Sequence, residues 1–328
     1  MKRLTVIILG IFVLFTGCEE YDPREPGLLV PMTVDEDSSI PSISVNNTML
    51  HAESFGNPDD PMIVVLHGGP GSDYRYLLNC KEFSDYGYHV VFYDQRGSGL
   101  SKRENKSAYS LQIMLDDLSA VIEFYRSSPE QKITLLGHSW GAMLATAYIN
   151  QFPNAIDGAI LCEPGGFVWK DIKDYVSRVR GFGITSEILN DATYLDQFIT
   201  GKETDHEKLD YKFGLSTVTD GSEDNPVGDI DDVPFWRLGA IVNRAMFEIG
   251  ERVKPDWTGN LNSFNTKVLF VYSERNRAYG TEYAQHVSSA YPNVQLVRID
   301  GAGHEMITFP TGWNNFFPIA LNYINEIK

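Results

Sequence analysis

The chain has 328 residues, of which 43% are hydrophobic, 12% aromatic and 22% charged. These proportions exclude a disordered, collagen-like or coiled-coil chain, and the length suits one large domain or a core domain carrying an insertion. With 27 Lys+Arg against 44 Asp+Glu the formal net charge is -17, which repels phosphate backbones and anionic membrane surfaces, so no nucleic-acid partner is expected. The three cysteines are too few for a disulfide scaffold. No Cys/His cluster has zinc spacing, and no metal or organic cofactor is expected.

Lys2-Arg3 precede an uncharged apolar run, Leu4 to Phe15, and then Thr16-Gly17-Cys18. A basic start, an apolar run and a small residue are the parts of a secretory signal, and the run is shorter than the roughly 20 residues of a membrane span. The Gly-Cys junction resembles a bacterial lipoprotein signal. That resemblance implies removal of residues 1–17, lipid on Cys18, and a place in the bacterial cell envelope, with the membrane reached through the lipid anchor only. Residues 18–39 are rich in Pro, Asp and Glu and read as a tether.

Ile43 to Phe55 reads as an antiparallel hairpin. Short apolar runs follow at Met62–Leu66, His89–Tyr93, Lys132–Leu136, Gly158–Cys162, Val268–Tyr272 and Val294–Ile299. Continuous runs of this length read as strands covered on both faces. Between them Leu111 to Phe124, Ala142 to Tyr148, Gly280 to Ala290 and Trp313 to Ile327 keep helical spacing. The alternation predicts an α/β fold, a mostly parallel central sheet with helices on both faces. It breaks over residues 167–262, which are aromatic-rich and hold an acidic loop from Asp220 to Asp232. That stretch is expected to cap the carboxyl edge of a core formed by residues 40–166 and 263–328. Cys162 reads as a buried thiol.

Gly137-His138-Ser139-Trp140-Gly141 lies between a predicted strand and a predicted helix. A G-x-S-x-G in that context lifts the serine hydroxyl out of a turn too tight for larger flanking residues, and the helix that begins there favours developing negative charge. His67-Gly68-Gly69-Pro70-Gly71 ends an earlier strand. The backbone N–H groups of Gly69 and Trp140 are the expected oxyanion donors, each worth about 3–4 kcal/mol of barrier. Gly301-Ala302-Gly303-His304 follows the last strand, and His304 is the expected general base. His51, His67, His89, His138, His206 and His286 read as structural.

These motifs, together with Asp94-Gln95-Arg96-Gly97-Ser98-Gly99-Leu100-Ser101, resemble the alpha/beta-hydrolase superfamily and, within it, the proline iminopeptidases. The resemblance runs from about Ser42 to Lys328. It implies an alpha/beta-hydrolase fold with a helical cap and a Ser-acid-His triad. One position departs from it. The aspartate implied after the strand ending at Tyr272 falls on Asn276, and an Asp-to-Asn change in the serine-protease template costs about 10⁴ in turnover. Glu163 is the expected substitute, since it follows the strand after the nucleophile helix and keeps the order Ser, acid, His. Haloalkane dehalogenases place a glutamate at the end of that strand. Two other arrangements stay open: Glu274 serves His304, or Glu163 binds a substrate amine. Arg96 is expected to pair with a carboxylate.

The resemblance implies a serine hydrolase that releases N-terminal residues, proline or another small or apolar residue, from short peptides. The alternatives are a carboxylesterase or small-amide hydrolase on the same machinery, or a weakly catalytic binding lipoprotein. The acidic loop is either a source of carboxylates for an ammonium group or a solvated charge run; Phe235, Trp236, Phe247 and Trp257 line the cap pocket or form its core.

Overall fold

The computed structural model describes residues 29–180, 205–217 and 225–327. The signal segment, Cys18, Asp220, Glu223 and Asp224 lie outside the described residues.

Eight strands form one sheet in the order β1-β2-β4-β3-β5-β6-β7-β8. Strands β1 (Ser42–Val45) and β2 (Thr48–Phe55) make the antiparallel hairpin, and β2 pairs antiparallel with β4 (His89–Tyr93). Asn46 and Asn47 turn the hairpin at φ 42° and 62°, the positive-φ pair that a two-residue hairpin loop uses. The remaining strands, β3 (Met62–Leu66), β5 (Ile133–His138), β6 (Gly158–Cys162), β7 (Val268–Ser273) and β8 (Val294–Ile299), run parallel. Every residue of β3, β4, β5, β6 and β7 is buried, as apolar runs without polar alternation require. The expectation of two covered faces fails at β8. It is an edge strand, half-exposed through Arg298, with only its last residue buried.

Helix α1 (Leu111–Tyr125) starts at Ser110, whose hydroxyl accepts the Ile113 N–H at 3.1 Å, the N-cap geometry that satisfies an orphan donor. Helix α2 (Trp140–Gln151) is buried over most of its length and packs on β5. Helix α3 (Trp169–Arg180), α4 (His206–Ser216) and α5 (Ala240–Val253) come from the expected cap. Helix α6 (Gly280–Ser288) follows β7, and α7 (Pro310–Ile327) closes the chain against β6 and β8. Two apolar clusters fill the faces of the sheet, one around α1, α2 and α5 and the other around α7.

The tether expectation is corrected for residues 29–39. Thr33 and Val34 are buried, the Val34 N–H donates to the Leu100 carbonyl at 2.9 Å, and the Arg237 guanidinium donates to the Pro31 carbonyl at 2.9 Å. A Pro/Asp/Glu-rich composition signals solvation only where nothing buries it; here Asp35 and Glu36 accept from the Thr33 hydroxyl at 2.7 and 3.0 Å. The same Arg237 shares Asp210 of α4 with Arg103 of the core, each Nε 2.8 Å from Oδ2.

Strand β3 has β4 on one side and β5 on the other, so the chain switches direction between β3 and β5. A crevice opens at the carboxyl ends of strands at such a point. The Gly68-Gly69 loop, Ser139, Glu163, Asn276 and His304 all follow carboxyl ends of strands β3, β5, β6, β7 and β8.

Candidate active site

Ser139 sits between β5 and α2 at φ 54°, ψ -119°. A non-glycine residue in that region is strained by about 1–3 kcal/mol, a cost the surrounding structure holds in place. The flanking glycines are there for space. A Cβ at Gly137 would lie 2.5 Å from the Gly141 carbonyl oxygen, and one at Gly141 would lie 2.0 Å from that of Leu66. Trp140 is the first residue of α2, so its N–H has no acceptor within the helix.

Ser139, His304, Gly69 and Trp140 line one cavity of about 280 Å³. Glu163 does not line it. It is fully buried behind the ring of His304, with His304 Nδ1 2.6 Å from Glu163 Oε2. A carboxylate accepts, so Nδ1 carries a hydrogen, and in the neutral ring Nε2 is left as the acceptor. Oε2 also accepts from Asn276 Nδ2 at 2.8 Å, while Oε1 accepts from the Ser273 N–H and the Ser273 hydroxyl, both at 2.6 Å. Glu163 itself stands at φ 45°, a second strained non-glycine residue at the same strand edge.

Asn276 thus occupies the position of the implied aspartate without touching the imidazole in its place. Its amide donates to Glu163 and to the Tyr175 hydroxyl (3.2 Å), and its Oδ1 accepts from the Tyr279 N–H (3.1 Å). Of the two alternatives, Glu274 lies elsewhere: it accepts from the Gly301 N–H at 2.9 Å and stands 3.6 Å from Arg298 on the surface. An amine-binding role for Glu163 fails because the carboxylate is sealed and engaged by four protein donors.

Burial alone would lower the pKa of His304, but the hydrogen bond and charge of Glu163, helped by Glu305 and Asp229, outweigh it and hold the ring at about 9. Burial raises Glu305 to about 8 and Asp229 to about 6, against the opposing charge of His304. Asp229 belongs to the expected acidic loop. It is buried, and its Oδ1 accepts the Glu305 N–H at 2.9 Å; Asp231 and Asp232 are exposed. None of these carboxylates lines the cavity.

Its walls are apolar. Trp169, Ile172, Val176 and Val179 come from α3, Met246 and Phe247 from α5, and Met143 from α2. Of the aromatic residues singled out above, only Phe247 lines the cavity. Trp257 packs edge-on to Trp140, Trp236 against Tyr74 and His51, and Phe235 against Tyr76.

A hydrogen-bonded frame holds the three loops. His67 Nε2 accepts the Gln95 N–H and its Nδ1 donates to the Gly68 carbonyl, both at 2.9 Å, so His67 is structural. Gln95 also donates to the His67 carbonyl (2.9 Å) and accepts from the Trp140 indole (2.8 Å). Arg96 pairs through two nitrogens with Asp117, each at 2.8 Å. Cys80 and Cys162 are buried free thiols. The sequence assigns Gln95 no role of its own, although it stands beside Arg96 in the glycine-bearing motif.

The family model described as "Serine aminopeptidase, S33" matches residues 57–309. The chain belongs to this family. A Bacillus subtilis relative, AB hydrolase superfamily protein YfhM, is 32% identical over 280 residues, covering 80% of this chain and 90% of that protein. The proline iminopeptidase of Saccharolobus solfataricus is 38% identical over 100 residues, 30% of this chain and 32% of that protein. Against that enzyme, and against a matching epoxide hydrolase, the chain spans about a third of the relative's length. The crystal structure of the proline iminopeptidase of Mycobacterium smegmatis superimposes with a TM-score of 0.56 at 16% identity, covering 87% of this chain and 97% of that one. The protein has the alpha/beta-hydrolase fold.

Proposed function

We propose that this protein is a serine hydrolase that cleaves small amides or esters through an acyl-enzyme on Ser139. The observation that carries the reading is the 2.6 Å contact between His304 Nδ1 and a fully buried Glu163, set behind the serine that shares a cavity with His304. Ser139 Oγ attacks the carbonyl carbon while His304 Nε2 takes its proton. The tetrahedral oxygen is held by the N–H groups of Gly69 and Trp140. His304 passes the proton to the leaving amine or alcohol, and water repeats the sequence to free the acid. Glu163 fixes the tautomer and balances the imidazolium.

The family favours peptides with a small or apolar first residue, proline included. The cavity favours a second class, esters of short apolar acids, because no acidic side chain among the described residues lines it and an ammonium group buried without a partner is costly. Hydrolysis of prolyl- and alanyl-arylamides against aryl acetate and butyrate decides between them. A fluorophosphonate should label the wild type and not Ser139→Ala; an unlabelled wild type would overturn the reading. We place the protein in the bacterial cell envelope, anchored by lipid at Cys18. Palmitate incorporation that persists in Cys18→Ser would count against that.

A further inference from the structure

We propose that His138 is a positioning residue that ties the oxyanion loop to the loop carrying the general base. The inference rests on the reading of Ser139 as nucleophile.

His138 immediately precedes the serine, and its ring lies 4.6 Å, centroid to centroid, from that of His304. Both of its nitrogens are engaged. Nε2 lies 2.9 Å from the His304 backbone carbonyl, and Nδ1 lies 2.9 Å from the Tyr76 hydroxyl. The Tyr76 hydroxyl in turn lies 2.7 Å from the Gly68 backbone nitrogen. Elementary donor and acceptor rules fix every hydrogen along this chain. The Gly68 N–H can only donate, so the Tyr76 oxygen accepts from it. The His304 carbonyl can only accept, so His138 Nε2 carries a hydrogen. Burial, and then the charge of His304, push the pKa of His138 well below its ordinary value, so the ring is neutral and Nδ1 is an acceptor. The Tyr76 O–H donates to it.

The chain therefore runs Gly68 N–H to Tyr76 O–H to His138 to the His304 carbonyl, with Tyr76 and His138 both buried. One end adjoins Gly69, an expected oxyanion donor; the other is the backbone of the base. The middle is the residue beside the nucleophile. Space at the first end is tight as well, since a Cβ on Gly68 would lie 3.0 Å from the Tyr76 hydroxyl and 3.1 Å from Ser139 Cβ. Such a chain sets the separation between donor and base, a distance on which a rate depends by about 10²-fold per ångström. His138 is no second base, because neither nitrogen is free. The Glu305 carboxylate stands 3.8 Å from Nδ1, beyond hydrogen-bond reach.

The test uses Tyr76→Phe, His138→Leu and His138→Gln in the full chain. Tyr76→Phe should lower kcat roughly 10- to 100-fold with KM unchanged. It should weaken phenylboronic acid, a mimic of the tetrahedral state, by the same factor. His138→Leu should do at least as much, and His138→Gln, whose amide keeps one donor and one acceptor, should recover most of the loss. In ¹⁵N NMR spectra the His138 ring should show hydrogen on Nε2 alone. A labelled wild type whose Tyr76→Phe variant keeps kcat and boronate affinity overturns the positioning role and leaves the serine reading intact, even if His138→Leu fails to fold. Hydrogen on Nδ1 overturns it too. A wild type that no fluorophosphonate labels brings down the serine reading, and the positioning role with it.

Discussion

Glu163→Gln changes almost no volume and inverts the hydrogen-bond roles around one buried atom. Oε2 of Glu163 accepts from both His304 Nδ1 and Asn276 Nδ2. If the glutamine keeps its oxygen on the Ser273 N–H, its NH₂ faces those two donors. The neutral ring can relieve the clash only by moving its hydrogen to Nε2, the nitrogen that accepts the serine proton in the proposed mechanism. The serine-protease template puts such a tautomer error at about 10⁴ in kcat, or about 5 kcal/mol of barrier. A second effect has the opposite sign on the pH axis. In the wild type kcat/KM should rise about tenfold per pH unit until His304 deprotonates, near 9, because only the neutral ring is a base. Removing the Glu163 charge leaves burial less opposed, so the rising limb should move to lower pH while the plateau collapses. The assay is aryl-ester hydrolysis from pH 5 to 10, with denaturation midpoints recorded alongside. A folded variant with a wild-type plateau, or a limb unmoved on the pH axis, refutes the argument.

Three further outcomes are expected. Asn276→Asp, which restores the residue implied by the resemblance, places a carboxylate against Glu163 Oε2, now 2.8 Å from the amide nitrogen. Two carboxylates that close cannot both ionise, so kcat/KM at pH 7 should fall by about tenfold or more; activity above the wild type would contradict this. Stability should fall as pH rises from about 6.5 to above 9. The raised pKa of His304 (about 9) contributes stability that is complete below the ordinary imidazole value and lost as pH passes 9. The raised value of Glu305 (about 8) adds a penalty that begins to grow near the ordinary carboxylate value and is complete once pH passes 8, so it overlaps the lower part of that interval. Both groups bind more protons folded than unfolded, so urea midpoints at pH 6 and 9.5 test the sign. Val176→Phe should shrink the cavity and lower kcat/KM for butyrate esters more than for acetate esters, by about 10-fold per methylene lost. An equal loss for both would place the acyl group elsewhere.

The parts of this protein that are local in sequence were legible without coordinates. Glycines around Ser139 announce a strand-to-helix turn because no other residue fits, as the 2.0 Å approach at Gly141 shows. Unbroken apolar runs announce covered strands because polar alternation would bury unpaired groups. The runs of β3 to β7 are accordingly buried throughout. Edge position is different: nothing local in Val294–Ile299 separates it from a covered strand, and β8 is half-exposed.

Sequence by itself therefore determined the strand-helix alternation, the serine turn and the candidacies of His304 and Glu163. Tertiary structure decided which acid meets the imidazole. Glu163, Asn276 and Glu274 all follow neighbouring strands, β6 and β7, and only packing places Glu163 against the ring, with Asn276 donating to it and Glu274 facing Gly301. It also joined His138 to Tyr76, 62 positions apart, and drew residues 29–39 onto the body. The reason is physical. Propensity and spacing act over a few residues, whereas a hydrogen bond between distant residues exists only once the chain has closed the loop between them and burial has removed water as the competing partner.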